Sequence, residues 1–229
     1  MFCGVVLSLT AMALKPLQDY NVEQERKINI VSTFKDVSEM SKEEAVAAYD
    51  AVIEDMVVDI KGKEVDTAAA KIEVLREYKK PLEERLFPVY IAKNKDDKTK
   101  VEFYVVPTYG AGLWNNISGY IALRPDLNTI EGARFGHIGE TPGLGARIAD
   151  DEEVYSRFKG KKIFDENGKL QSVVMQKGEG NNYDDQPHKV DGMSGATLTA
   201  KGLNNMLEEY FGAYESYFKS IPNTQTTQK

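Results

Sequence analysis

Cysteine, histidine and tryptophan are scarce in these 229 residues: one Cys, two His and one Trp. The single cysteine, Cys3, cannot close an internal disulfide or supply the ligands of a usual iron–sulfur cluster. His137 and His188 lie 51 positions apart, and neither H-E-x-x-H nor C-x-x-C occurs, so no transition-metal site is expected. Any redox chemistry would need an organic cofactor. Basic residues are outnumbered, with a net charge of −7 and no basic stripe, so nucleic acid is not an expected partner. Gly110-Ala111-Gly112-Leu113-Trp114-Asn115 begins like a dinucleotide fingerprint but lacks its third glycine, and no P-loop is present. Gly192-Met193-Ser194-Gly195-Ala196 fails G-x-S-x-G at its last position, and the histidines stand far from any obvious nucleophile, so a hydrolase triad is not expected.

Long apolar runs are also missing, with one partial exception. Met1 to Leu14 is uncharged and ends at Lys15-Pro16. As a helix it would reach roughly 21 Å, short of the ~30 Å hydrocarbon core. It reads as part of a transmembrane helix, as a signal h-region without a basic flank, or as a buried apolar helix. What is present is the balance of a folded core: 41% hydrophobic and 28% charged residues.

Residues 17–34 are polar with scattered apolar positions and suit a helix. Ser41 and Glu44 form a capping box, and Ala45, Ala48, Tyr49, Val52, Ile53 and Met56 predict a helix over 41–57. Strands are expected at 87–93 and 100–106 around a turn at 94–98, then near 117–124 and 130–137. A short helix is expected at 151–159. Glu166-Asn167-Gly168 predicts a tight hairpin between strands 161–165 and 169–176, followed by a polar loop over 177–189. The last helix runs from about 197 to 219, with Leu203, Met206, Leu207, Tyr210, Phe211, Tyr214 and Phe218 on its apolar face. The tail NTQTTQK is expected to be disordered. Helices at the ends and strands between them predict an α+β fold, with a mainly antiparallel sheet flanked by helices. The expected organisation is an apolar segment at 1–15, which only the family resemblance given below turns into the remnant of a membrane anchor, a helical connector at 16–40, one domain at 41–220 and a tail at 221–229.

Residues 191–200 read DGMSGATLTA, just before the last helix. Gly195 and Ala196 let a bulky group approach, and Gly195 can adopt a turn closed to other residues. A helix start offers unpaired N–H groups and a dipole favourable to an anion, which makes it a seat for phosphate. Thr197 places an alcohol at that seat, able to bond a phosphate or become esterified to one. The plain alternative is an ordinary cap, in which Ser194 or Thr197 closes the helix.

Asp191 followed by Ser194-Gly195-Ala196-Thr197 resembles the D-x-x-S/T-G-A-T signature of proteins flavinylated on threonine. GAGLWNNISGYIAL (110–123) and DLNTIEGARFGHIGETPGLGARI (126–148) resemble two further blocks of the same family, in the same order. So does LKPLQDYN after the apolar run. The chain is therefore similar to the NqrC family, the C subunits of the sodium-pumping NADH:quinone reductase.

That resemblance implies FMN held covalently on Thr197 as a phosphoester, placed there by a magnesium-dependent flavin transferase that uses FAD. It implies a cofactor site drawn from Asp191, Ser194, Gly195, Ala196, Thr197, Thr199, Trp114, Glu140, Thr141, Leu144 and Gly145. Asp191 would help the transferase, or merely bond its loop. Trp114 would wall the flavin, or be a core aromatic. Pro142-Gly143 suits a type II turn that would expose N–H groups around Leu144 and Gly145. Leu144 would touch the ring, Thr141 would bond its polar atoms, and Glu140 would orient the loop; the alternative is a structural hairpin. His137 reads as a strand-end structural residue, with flavin contact the alternative. The implied partners are other subunits of a membrane NADH:quinone reductase, the flavin transferase and the lipid bilayer. The implied location is the bacterial inner membrane with the domain facing the periplasm. Three rivals remain: the G subunit of a ferredoxin-dependent Rnf-type complex, a membrane-tethered FMN-binding sensory or structural module, and a non-flavin binding domain.

Overall fold

The structure is a computed structural model that describes residues 2–221. The tail NTQTTQK lies outside the described residues. Helix α1 spans Phe2–Val31 and α2 spans Lys42–Val52. Five strands follow as an antiparallel meander: β1 Ile53–Val58, β2 Phe87–Lys93, β3 Val101–Ala111, β4 Asn116–Leu123 and β5 Ile130–His137. A short helix, α3 (Val74–Tyr78), sits between β1 and β2. Helices α4 (Arg147–Asp150) and α5 (Glu152–Ser156) follow β5. Two-residue strands β6 (Val174–Met175) and β7 (Lys189–Val190) precede the long helix α6, Thr197–Ser220.

Alternation along the strands explains why both faces of the sheet are covered. Val58, Val89, Val106 and Ile121 point into the larger core with Leu203, Leu207, Phe211 and Tyr214 of α6. Their neighbours Val57, Tyr90, Val105 and Ala122 point the other way, onto Ile30 and Val31 of α1 and Tyr49 of α2. The expected α+β architecture with flanking helices is what forms. The apolar stripe foreseen on the last helix is buried, and its Tyr214 hydroxyl donates to the Pro88 carbonyl at 2.7 Å. Each large side chain buried there is worth about 1.5–3 kcal/mol, which fixes α6 and hence its first turn against β3.

Three expectations change. The helix from residue 41 stops at Val52, and Ile53 is already extended (φ −91°, ψ 128°). Residues 53–58 instead pair with β2, from Ile53–Ala92 to Val58–Phe87. Val52, Ile53, Val57 and Val58 are β-branched, and a free sheet edge outweighs their helical spacing. The 161–176 hairpin is reduced to one bridge, Phe164–Leu170, although the turn from Asp165 to Lys169 closes. Val174–Met175 pairs in parallel with Lys189–Val190 instead, held by Asn204 of α6, whose amide bonds both the N–H (2.8 Å) and the carbonyl (2.9 Å) of Met175. Finally, α1 runs through Pro16 without stopping, although proline forfeits the bond to the carbonyl four residues back. Among the described residues, no helix is long and apolar enough to cross a membrane.

Candidate functional site

The turn before α6 is built by Ala196 N–H on the Met193 carbonyl (3.2 Å), with Gly195 at φ +73°. That conformation is open to glycine and strained for other residues. Ala196 occupies the cap position, and no side chain caps the helix. The ordinary-cap reading is therefore not what forms: Ser194 and Thr197 are both exposed, and neither closes the helix. The first turn keeps unpaired N–H groups and the positive end of a long helix beside an exposed alcohol.

Glu140 ties the three sequence blocks together. Its Oε2 accepts from the Thr199 hydroxyl at 2.6 Å. Its Oε1 accepts from the N–H groups of Leu113 (2.8 Å) and Trp114 (3.0 Å). Glu140 is 3% exposed and Thr199 is 1% exposed. Burial opposes its ionisation, but the bonds from Thr199, Trp114, Leu113 and Asn115 outweigh that and hold the carboxyl below its usual range. Two glycines leave the room it needs. A Cβ at Gly112 would lie 2.5 Å from Glu140 Oε1. One at Gly145 would lie 2.6 Å from Glu140 Oε2 and closer still to Thr199 Oγ1.

The loops joined here expose four large apolar side chains. Trp114 is 70% exposed, Leu198 59%, Leu113 43% and Leu144 40%. Trp114 is thus no core aromatic; its indole N–H donates to Thr141 Oγ1 at 3.2 Å. Leu144 lies against the glycine turn, since a Cβ at Gly195 would sit 2.7 Å from Leu144 Cδ2. The Pro142-Gly143 turn forms with Gly143 at φ +73°. Its closure uses the Leu144 N–H, which donates to the Thr141 carbonyl at 3.1 Å, so that group is not offered to a ligand as expected. His137 Nδ1 accepts from the N–H groups of Gly139 and Glu140, both at 3.3 Å, in keeping with its strand-end reading.

Asp191 turns its carboxylate into the preceding loop, toward Gly180 N–H (2.7 Å) and Asn181 Nδ2 (3.3 Å). Burial opposes its ionisation, yet these bonds hold its carboxyl below the usual carboxylate range. Behind it lies a charge cluster that the sequence motifs do not indicate. Glu179 receives a fork from Arg147 (2.7 and 3.0 Å) and accepts the Ser194 N–H at 3.0 Å. Arg157 donates to the Gly192 carbonyl at 2.6 Å. No spacing in the polar 177–189 loop marks Glu179 in advance.

The Arg147 fork, and next the Ser194 N–H, bring Glu179 from 4.5 to about 2. A depressed folded-state value stabilises above the unfolded one and is lost as pH falls through the folded one. The difference in melting temperature between the parent chain and Glu179→Gln is therefore expected to hold steady from pH 7 to pH 5. It should shrink toward zero near pH 2. A difference unchanged down to pH 2 would contradict this cause.

Comparison with known proteins bears on this geometry. The FMN-binding domain family matches residues 112–211, which contain the Glu140 bridge and the first turn of α6. The C subunit of the Na(+)-translocating NADH-quinone reductase from Haemophilus ducreyi is 31% identical, over 93% of this chain and 85% of that protein. The chain belongs to that family of C subunits, NqrC. The counterpart from Neisseria meningitidis is 32% identical over 93% of this chain and 85% of its own length. The crystal structure of the C subunit from Parabacteroides distasonis superposes with a TM-score of 0.78, at 33% identity, covering 91% of this chain and 98% of that one. The resemblance drawn from the three sequence blocks is borne out.

The residues present fit an FMN. The uncapped turn suits a phosphate. The Trp114, Leu144 and Leu198 shelf suits the apolar faces of a ring. Thr199 and Glu140 are spent on each other, which makes them scaffold for the seat and not open ligands.

Proposed function

We propose that this chain is the electron-carrying C subunit of a Na+-translocating NADH:quinone reductase, with FMN joined to Thr197 through a phosphoester. The observation that carries this reading is an exposed alcohol on an uncapped helix start, beside an exposed apolar shelf. In attachment, Thr197 Oγ loses its proton and bonds the FMN-side phosphorus of FAD. The pyrophosphate bond breaks and AMP leaves, so no oxidant or reductant is needed. The resulting phosphodiester keeps about one negative charge beside the helix N-terminus, where the dipole favours it.

Bound FMN supplies one-electron transfer, between an iron–sulfur centre of a partner subunit and another flavin. The protein's part is to hold and orient. The first turn of α6 would hold the phosphate, Trp114 and Leu144 would flank the ring, and Glu140 keeps the two loops in register. NADH and quinone bind on other subunits. The start of helix α1, with Leu9, Met12 and Leu14 exposed, would supply part of the apolar surface of an inner-membrane anchor below a periplasmic domain, being too short in apolar residues to cross a membrane as it stands. The names of the relatives favour this complex over a ferredoxin-dependent one.

Chain matured with the transferase is expected to run as a fluorescent band on a denaturing gel. Its flavin should then be reduced by NADH when purified partner subunits are added. Fluorescence without any reduction on a turnover timescale would favour a sensory or structural module instead.

A further inference from the structure

The segment that presents Thr197 is gripped from three sides. Glu179 Oε2 takes the N–H of Ser194 at 3.0 Å. Arg157 Nη1 gives to the carbonyl of Gly192 at 2.6 Å. On the third side Gly192 is pressed against backbone, where any Cβ would run into the carbonyls of Gln176 and Gly178. Glu179 is itself fixed: Arg147 forks onto both its oxygens and Arg157 Nη2 lies 3.4 Å from Oε1. The guanidiniums are mostly covered, at 22% and 13% side-chain exposure, so they are not offered to an outside anion. The loop beyond the grip, from Ser194 to Thr197, keeps three of its four residues exposed.

We propose that Glu179 is a positioning residue for flavin attachment: with Arg147 and Arg157 it locks residues 191–194, so that Thr197 meets the transferase already in its acceptor conformation. The proposal rests on Thr197 being the acceptor. Without the Glu179 carboxylate the Ser194 N–H is released, and the exposed stretch from Ser194 to Thr197, with a glycine at 195, samples more than one turn. Only a fraction of the chains then present the alcohol correctly. A fraction of this kind weakens apparent binding in proportion and leaves the bound complex unchanged. The lock therefore acts on KM for the acceptor chain, not on the rate at saturation. Glutamine in place of Glu179 keeps an oxygen for the Ser194 N–H, so geometry is retained though charge is lost.

The test uses full-length chain made without the transferase, then incubated with purified transferase, FAD and Mg2+. Initial rates across chain concentrations are read by intact mass. Glu179→Ala is expected to raise KM about tenfold with kcat within about twofold. Glu179→Gln should recover most of this loss. Hydrogen exchange of the 191–197 peptide should be fast in Glu179→Ala and slow in the parent and in Glu179→Gln. Equal kcat/KM in parent and Glu179→Ala overturns the proposal. So does a defect confined to kcat, or no recovery in Glu179→Gln. If Glu179→Ala does not fold, Arg147→Met loosens the same grip and is expected to raise KM about threefold; an unchanged KM there overturns the proposal equally. Failure of the acceptor reading is distinct, because it shows as no mass gain in the parent chain itself.

Discussion

Thr197→Ala is expected to come through maturation with no covalent flavin, while its fold is unchanged. Two other hydroxyls lie close in sequence, and the structure gives a reason why neither substitutes. Ser194 precedes the glycine turn, outside the first turn of α6, with its N–H held by Glu179. Thr199 is within the helix, but its hydroxyl is buried and donates to Glu140. Only residue 197 combines exposure with the uncapped helix start. Its side chain makes no cap, so the alanine variant should stay within about 0.5 kcal/mol of the parent. Intact mass and gel fluorescence after co-expression with the transferase provide the check. Ser194→Ala should keep its fluorescent band at least in part. Flavin retained in Thr197→Ala, or lost only in Ser194→Ala, would move the attachment elsewhere.

What could be read from the sequence was mostly what short-range physics decides. The Ser41–Glu44 box is present in both directions, at 3.2 and 2.8 Å. The strands from 87 to 137 lie close to where they are expected, except that β3 runs on past residue 106 to Ala111, and α6 follows its apolar stripe. Edge pairing was not legible: Ile53 and Met56 fit a helical face as well as a strand, and only β2 decides between them. Nor was the parallel β6–β7 pair, because two-residue strands carry no periodicity and depend on Asn204 across the fold. At the site, the blocks singled out in the sequence lie together, and the structure shows how they are joined. Gly112 and Gly145 look like turn residues in isolation. In space they are the clearances on either side of one carboxylate. Glu179 lay hidden because its partners, Arg147 and Ser194, are 32 and 15 residues away.

That carboxylate makes Glu140→Ala the most damaging single change expected for the fold around the site. The substitution strands the Thr199 hydroxyl in a buried position and deprives the Leu113 and Trp114 N–H groups of their acceptor. An unsatisfied buried donor costs about 1–3 kcal/mol. Water reaching the exposed 113–114 loop relieves part of this, so the loss should be about 3 kcal/mol. For a chain of this size that lowers the melting temperature by about 6–12 °C. Glu140→Gln is expected to lose only about 1 kcal/mol. Its amide oxygen still accepts from residues 113 and 114, and its NH2 can donate to a reversed Thr199 hydroxyl. Gly145→Ala should resemble Glu140→Ala, because its methyl occupies the space of the Thr199–Glu140 bond. Thermal melts of the three variants decide the matter, and a Glu140→Ala chain melting within about 2 °C of the parent would refute the bridge. The functional consequence follows from the same geometry. Glu140 bonds both the Leu113–Trp114 backbone and Thr199 in the first turn of α6, so a chain that loses it can still take flavin on Thr197 but no longer holds Trp114 as a fixed wall. Covalent yield should therefore survive in Glu140→Ala better than the uniformity of the flavin's environment. Broadened flavin emission at near-normal mass gain would show it.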